Sequence, residues 1–193
     1  MRVLVACEMS GVVRKAFKDL GHDAWSCDIV DCEDGSKYHI KDDVLNHLND
    51  GWDLMIAFPP CTHLAVSGAR WFKYKVEEQK QALEFVRTLM NASINRICIE
   101  NPVGIISTRI CKPQQIIQPW MFGHMETKAT CLWLKNLPKL KSTDNVYDEM
   151  MKLPIKVRQR IHNLPPSKDR GKIRSYTYTG IAKALADQYG ETI

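Results

Sequence analysis

The sequence predicts an α/β fold built on a mostly parallel central sheet, and three observations carry that expectation. Apolar runs of strand length alternate with amphipathic helical patterns through the first two thirds of the chain. The opening reads strand, glycine-bearing turn, helix, strand, acid, which is the start of a nucleotide-binding α/β unit. The run Leu54 to Phe58 has the composition of a buried central strand and stops at Pro59-Pro60, which cannot donate to a sheet ladder.

Taken in order, Arg2 to Cys7 reads as the first strand, followed by Glu8-Met9-Ser10-Gly11 and a helix to Leu20. Val12, Val13, Ala16, Phe17 and Leu20 share one face of that helix, and Gly21 closes it. His22 to Cys27 is the second strand, ending in Asp28. Asp34-Gly35 marks a turn, and Asp42-Asp43-Val44 ends a third strand or its loop. After the Leu54 strand, Ala82, Phe85, Val86, Leu89 and Met90 line a helix that leads into a strand from Arg96 to Glu100. Beyond residue 110 the pattern weakens: Ala129 to Leu134 reads as a strand, Pro154 to Ser175 as irregular, and Thr179 to Tyr189 as a helix stopped by Gly190.

The 193 residues fit one domain, 1–193, with no linker, repeat or low-complexity tract. No apolar run has membrane-span length and no signal-peptide pattern opens the chain, so a cytoplasmic protein without a membrane partner is expected. The seven cysteines are odd in number and include no Cys-x-x-Cys pair, which argues against a disulfide framework and against a metal site. Cys27 and Cys32 are read as structural for want of further ligands. The net charge of +5 is unevenly placed: Lys152, Lys156, Arg158, Arg160, Lys168, Arg170, Lys172 and Arg174 face a single Asp169. That stretch, within a small basic segment at about 141–175, suggests a polyanion partner, a solvated loop being the plainer alternative.

Three polar signals fall at strand ends on one side of the expected sheet: Ser10-Gly11 with Asp28, then Cys61, then Glu100. Convergent polar groups at the carboxyl ends of strands mark the pocket of such folds. Cys61 sits on a stiff turn after Pro60, either as a nucleophile or, like most free cysteines, as a small buried hydrophobe. A cysteine and a glutamate facing one ligand suit addition to a pyrimidine. A thiolate adding at carbon 6 of cytosine makes carbon 5 nucleophilic, and a protonated carboxyl at nitrogen 3 stabilises the charge that develops there. A free thiol titrates at about 8.5, so a neighbouring cation such as Arg70 or Lys128 would aid the thiolate.

With those residues in place, the chain resembles the DNA cytosine carbon-5 methyltransferase family, and within it the short versions encoded in phage and prophage genomes. Phe58-Pro59-Pro60-Cys61 with Ala65-Val66-Ser67-Gly68 is similar to the family's proline-cysteine motif, and Ile99-Glu100-Asn101-Pro102 to its glutamate-asparagine-valine motif. Ala6 to Gly11 stands at the S-adenosylmethionine-binding turn, Asp28 at the ribose-binding acid, and Asp42-Asp43-Val44 resembles the motif whose aspartate meets the adenine ring. Phe122-Gly123-His124 through Lys128-Ala129-Thr130 resembles the arginine-bearing strand motif, and Thr179 to Gly190 the final helix beside the first strand.

The resemblance implies a Rossmann-like S-adenosylmethionine-dependent methyltransferase fold and methylation of cytosine in DNA through a covalent cysteine adduct. It implies Cys61, Glu100 and Lys128 as catalytic residues, and Glu8, Ser10, Gly11, Asp28, Asp43 and Pro60 around the cofactor. Arg70, Lys156, Arg158, Arg160, Lys172 and Arg174 would meet DNA phosphates. The departures are specific. Only Gly11 remains of a glycine-rich first motif, Pro102 and Thr62 replace the family's valine and glutamine, and Lys128 and Thr130 stand where it has arginines. The long target-recognition insertion is missing, the basic segment standing in its place. Relaxed specificity, a homodimer or a separate specificity partner follows as an expectation.

Two other readings remain open: methylation of free dCMP or another nucleotide, and a DNA- and cofactor-binding relic without catalysis. His63 and His124 are read as structural hydrogen-bonders, Trp71 as a possible base contact, and Trp120 and Trp133 as core.

Overall fold

The computed structural model describes residues 1–67 and 73–191. Arg70 and Trp71, together with Gly68 of the motif quoted above, lie outside the described residues. The chain opens with β1 (Arg2–Ala6), α1 (Val12–Asp19), β2 (Asp23–Asp28) and β3 (His39–Lys41). There follow β4 (Leu54–Ala57), α2 (Val76–Met90), β5 (Arg96–Pro102), α3 (Ile106–Arg109), β6 (Gln115–Ile117) and β7 (Thr130–Lys135). Three short helices, α4 (Tyr147–Met151), α5 (Ile155–Arg158) and α6 (Arg170–Ser175), precede α7 (Thr179–Gly190).

These strands form one sheet in the order β3-β2-β1-β4-β5-β7-β6. β3, β2, β1, β4 and β5 are parallel, and β7 runs antiparallel to both β5 and β6. The mostly parallel, Rossmann-like α/β architecture expected from the sequence is therefore the one observed. Strand order reverses between β1 and β4, the switch point at which open α/β sheets leave a crevice.

Alternation along the strands divides the core into two layers. Leu4, Ala6, Met55, Ala57, Ile97 and Ile99 pack with Leu83, Val86 and Leu89 of α2 on one face. Val3, Val5, Leu54, Ile56 and Cys98 pack with α1 and α7 on the other, through Val13, Phe17, Ala182, Leu185 and Tyr189. Both faces are covered, so the central strands read as continuous apolar runs rather than alternating ones.

Some local expectations differ from the structure. Leu20, expected on the apolar face of α1, is 47% exposed, and Arg14 is buried instead. Its guanidinium donates to the Ser26 hydroxyl at 2.6 Å and pairs with Asp34, so the charge has the partners a buried cation needs. In α2 the buried stripe is Leu83, Val86 and Leu89, with Ala82, Phe85 and Met90 at its edges. The segment expected to be irregular from Pro154 to Ser175 contains α5 and α6, each too short to show a helical period in sequence. No described helix is long and apolar enough to cross a membrane.

Candidate active site

Strand register places the expected residues at one edge. Ala6 pairs with Cys27 and Ala57, and Ala57 pairs with Ile99, so these strands end level. The residues just beyond are Cys7 to Ser10, Asp28, Phe58 to Cys61, and Glu100. Thr130 of antiparallel β7 lies opposite Pro102, which delivers Lys128, two residues earlier, to the same edge. A cleft of about 610 Å³ opens there, lined among others by Glu8, Ser10, Asp28, Pro60, Cys61, Glu100 and Lys128.

The turn holding Cys61 is built from both sides. The Phe58 amide donates to the Ala6 carbonyl, and the two prolines then end the ladder. The Cys61 carbonyl accepts from Leu64 and Ala65, closing one turn after the cysteine. From β5, the buried side-chain amide of Asn101 donates to the Pro59 carbonyl at 2.7 Å, while Asn101 Oδ1 is buried without a partner among the described residues. Gly104 lies against the backbone of Leu64 and Ala65, where a Cβ would collide with the Leu64 carbonyl. The Cys61 turn and the strand end bearing Glu100 are thus one clamped unit.

Electrostatics couple the two groups. Burial pushes the Cys61 thiol above its ordinary value, the Glu100 charge pushes it further, and Lys128 and Arg174 pull it back. Burial also lifts the Glu100 carboxyl above the usual carboxylate range, opposed by Lys128 and the Thr130 hydroxyl. A carboxyl that keeps its proton is a donor as well as an acceptor, whereas a carboxylate only accepts. Lys128 Nζ donates to the carbonyls of Arg174 at 2.8 Å and Tyr176 at 3.5 Å, tying the stretch that leads into β7 to the carboxyl end of α6.

On the opposite wall, Gly11 takes φ 71° before α1, a left-handed conformation that suits glycine, and a Cβ there would strike the Arg14 guanidinium. The Glu8 carboxylate accepts from the amides of Val13 at 2.6 Å and Arg14 at 3.2 Å and from the Ser10 hydroxyl at 3.3 Å. It therefore fills the positive amino end of α1 from within. Asp28 lines the cleft at the end of β2, with one oxygen accepting from the Val30 amide. Asp43 caps a 3-10 turn, accepting from the Leu45 amide at 3.0 Å, and neither it nor Gly11 is among the cleft-lining residues.

The basic residues divide. Lys172 and Arg174 line the cleft. Lys172 pairs with Glu33 at 2.6 Å, and Arg160 pairs with Glu126 at 2.8 Å. Arg158 Nη1 rests on Met151 Sδ, and Lys156 is exposed on α5. Ile161, His162 and Tyr176 also line the cleft, which the sequence reading did not anticipate. Tyr176 donates to Glu33, 143 residues away, and no sequence pattern signals such a pair. His124 is a structural hydrogen-bonder, accepting from the Gly180 amide at 3.0 Å. Trp133 is buried in the core, whereas Trp120, also expected there, is only partly buried and packs edge-on against the exposed Tyr147.

No protein-family model matches the chain, and no curated protein matches it. Among solved structures, it is similar to a prophage-encoded E. coli protein provisionally described as a DNA modification methyltransferase. The two share 15% identity with a TM-score of 0.45, over 80% of this chain and 56% of that one. The chain thus spans just over half the length of that protein.

Proposed function

We propose that the chain methylates carbon 5 of cytosine in DNA, with S-adenosylmethionine as the methyl donor. The observation that carries this reading is that Cys61 and Glu100 line one cleft, where the Glu100 charge adds to burial in raising the Cys61 thiol.

The residues opposite that pair fit such a donor. In dinucleotide-binding folds the amino end of the first helix receives a phosphate. Here the Glu8 carboxyl already takes the Val13 and Arg14 amides that a phosphate would need, although burial lifts it above the usual carboxylate range against those hydrogen bonds. S-adenosylmethionine carries no phosphate, and its ammonium and sulfonium are cations that suit a carboxylate-lined wall. Glu8, Ser10 and Pro60 would border it, with Asp28 toward its ribose; Gly11 shapes the turn, while Asp43, a 3-10 cap off the cleft lining, is given no contact with it. When bound, the donor supplies an electrophilic methyl group.

The chain's own groups perform the remaining steps. Cys61 first loses its thiol proton to solvent; the thiolate then attacks carbon 6 of an unstacked cytosine while the Glu100 carboxyl gives its proton to nitrogen 3, leaving an enamine with electron density at carbon 5. After carbon 5 takes the methyl, a base removes the carbon-5 proton. The carbon–sulfur bond then breaks, and nitrogen 3 returns its proton to Glu100. Lys128 holds charge near both groups throughout. Extruding the base from a duplex costs a few kcal/mol, roughly, and Lys156, Arg158 and the outer basic residues would hold the phosphates.

The deciding experiment incubates the protein and cofactor with DNA containing 5-fluorocytosine, with dCMP methylation measured in parallel. A denaturation-resistant adduct through Cys61, absent from Cys61→Ser, is the expected result. Wild-type rates of methylation by Cys61→Ser would overturn the reading. Methylation of dCMP in preference to DNA would overturn the choice of substrate.

A further inference from the structure

Helix α6 is six residues long and contributes no buried residue to the core. A helix that short is not stable by itself, so polar contacts must fix its place. They come from two sides. On one side the Glu33 carboxylate, in the loop between β2 and β3, accepts from Lys172 Nζ at 2.6 Å and from the Tyr176 hydroxyl at 2.7 Å. The Glu33 amide donates to the Met9 carbonyl at 2.9 Å, which anchors this residue beside the Met9-Ser10 turn. On the other side Lys128 Nζ donates to the Arg174 and Tyr176 carbonyls. Met9, Ser10, Lys172 and Tyr176 all line the cleft, whereas Glu33 is not among its lining residues.

We propose that Glu33 is a positioning residue: through Lys172 and Tyr176 it clasps α6 to the Met9-Ser10 turn and so closes the cofactor side of the cleft. This deepens the reading above, on which the identity of the cofactor rests. Lys172 and Tyr176 stand four residues apart yet reach one carboxylate, and the Tyr176 hydroxyl contacts both of its oxygens. An ionised carboxylate only accepts and has room for several donors, so one side chain holds two points of the segment at once. A segment with few buried contacts opens at little cost, and losing a tether lowers that cost further. A molecule held against Glu8, Ser10 and Asp28 shares the cleft with Lys172 and Tyr176. Glu33 therefore governs how fast that molecule leaves without touching it. Lys172 is accordingly assigned to Glu33 rather than to DNA phosphate.

The test has two arms, both on the full chain. Hydrogen exchange without ligand follows the amides of residues 170–177, and release of radiolabelled S-adenosylmethionine follows the cofactor. Glu33→Ala is expected to speed exchange in that segment. It should also speed release about fivefold, as loss of an exposed ion pair with its accompanying hydrogen bond allows. Tyr176→Phe should do the same to a smaller extent. The double variant should match Glu33→Ala alone, because the contact between the hydroxyl and Glu33 is already gone. Lys183→Gln, which removes a charge paired with Asp187 on α7, should change neither readout. Wild-type exchange in Glu33→Ala overturns the clasp, and so does a double variant whose two effects simply add. Faster exchange with wild-type release overturns the role in holding the cofactor. A wild-type chain that binds no S-adenosylmethionine overturns the cofactor reading instead, and the exchange arm still decides the clasp.

Discussion

The side-chain amide of Asn101 reaches from the end of β5 to the carbonyl of Pro59 on the Cys61 turn, a buried 2.7 Å hydrogen bond across 42 residues of sequence. This contact converts two separate strand ends into one arrangement of sulfur and carboxyl. Asn101→Leu removes the donor and leaves the Pro59 carbonyl buried without it, costing about 1–3 kcal/mol. Denaturant unfolding should show that loss, with a larger proportional fall in adduct formation than in stability. Unchanged adduct yield in the folded variant would mean that the two motifs are positioned independently.

Gly104 makes the same connection sterically. Its Cα passes so close to the Leu64 carbonyl that a methyl group forces one backbone to move. Gly104→Ala should therefore displace the loop after Cys61, costing about 1–3 kcal/mol as overpacking does. The first-order rate of adduct formation should fall, while cofactor affinity, set on the opposite wall, stays within about twofold. Calorimetry of cofactor binding beside the trapping assay separates the two effects.

Much of this arrangement is legible in the sequence, for a physical reason. Cys61, Glu100 and Asp28 each follow an apolar run that ends abruptly, and parallel strands bring such ends to one edge without knowledge of any contact. Lys128 is legible only by its motif, because its place depends on β7 running antiparallel. The contact of Lys172 and Tyr176 with Glu33 is not legible at all: these are polar residues far apart in sequence, joined by geometry that leaves no periodicity. Arg14 misleads for a related reason, since its burial depends on Ser26 and Asp34, residues on other elements.

Glu8 supplies a prediction on the cofactor wall. Replacing it with alanine leaves the Val13 and Arg14 amides without their acceptor, which should cost about 0.5–2 kcal/mol, as loss of a helix cap does. It also exposes the positive end of α1, so S-adenosylmethionine affinity should fall while affinity for phosphate-bearing adenine nucleotides rises. Titration of the variant with S-adenosylmethionine and with ADP checks both directions. Tighter S-adenosylmethionine binding by Glu8→Ala would contradict the role assigned to that carboxylate.

Glu100→Gln should produce effects of opposite sign in two assays. The ionised carboxylate raises the Cys61 thiol, so removing its charge should make that thiol more acidic and its alkylation faster. The gain appears only above the pH at which wild-type Glu100 loses its proton, itself displaced upward by burial, and below that pH the two profiles coincide. Methyl transfer should move the other way, falling about 10²–10⁴-fold, because an amide has no acidic proton to give to nitrogen 3. The wild-type rate should be bell-shaped in pH, rising as the pair loses its first proton and falling as it loses the second; the two limbs belong to the pair rather than to either residue. Replacing Glu100 should abolish the descending limb. Slower alkylation and slower transfer together would instead indicate a distorted Cys61 turn, which the Asn101 hydrogen bond makes measurable by the unfolding experiment above.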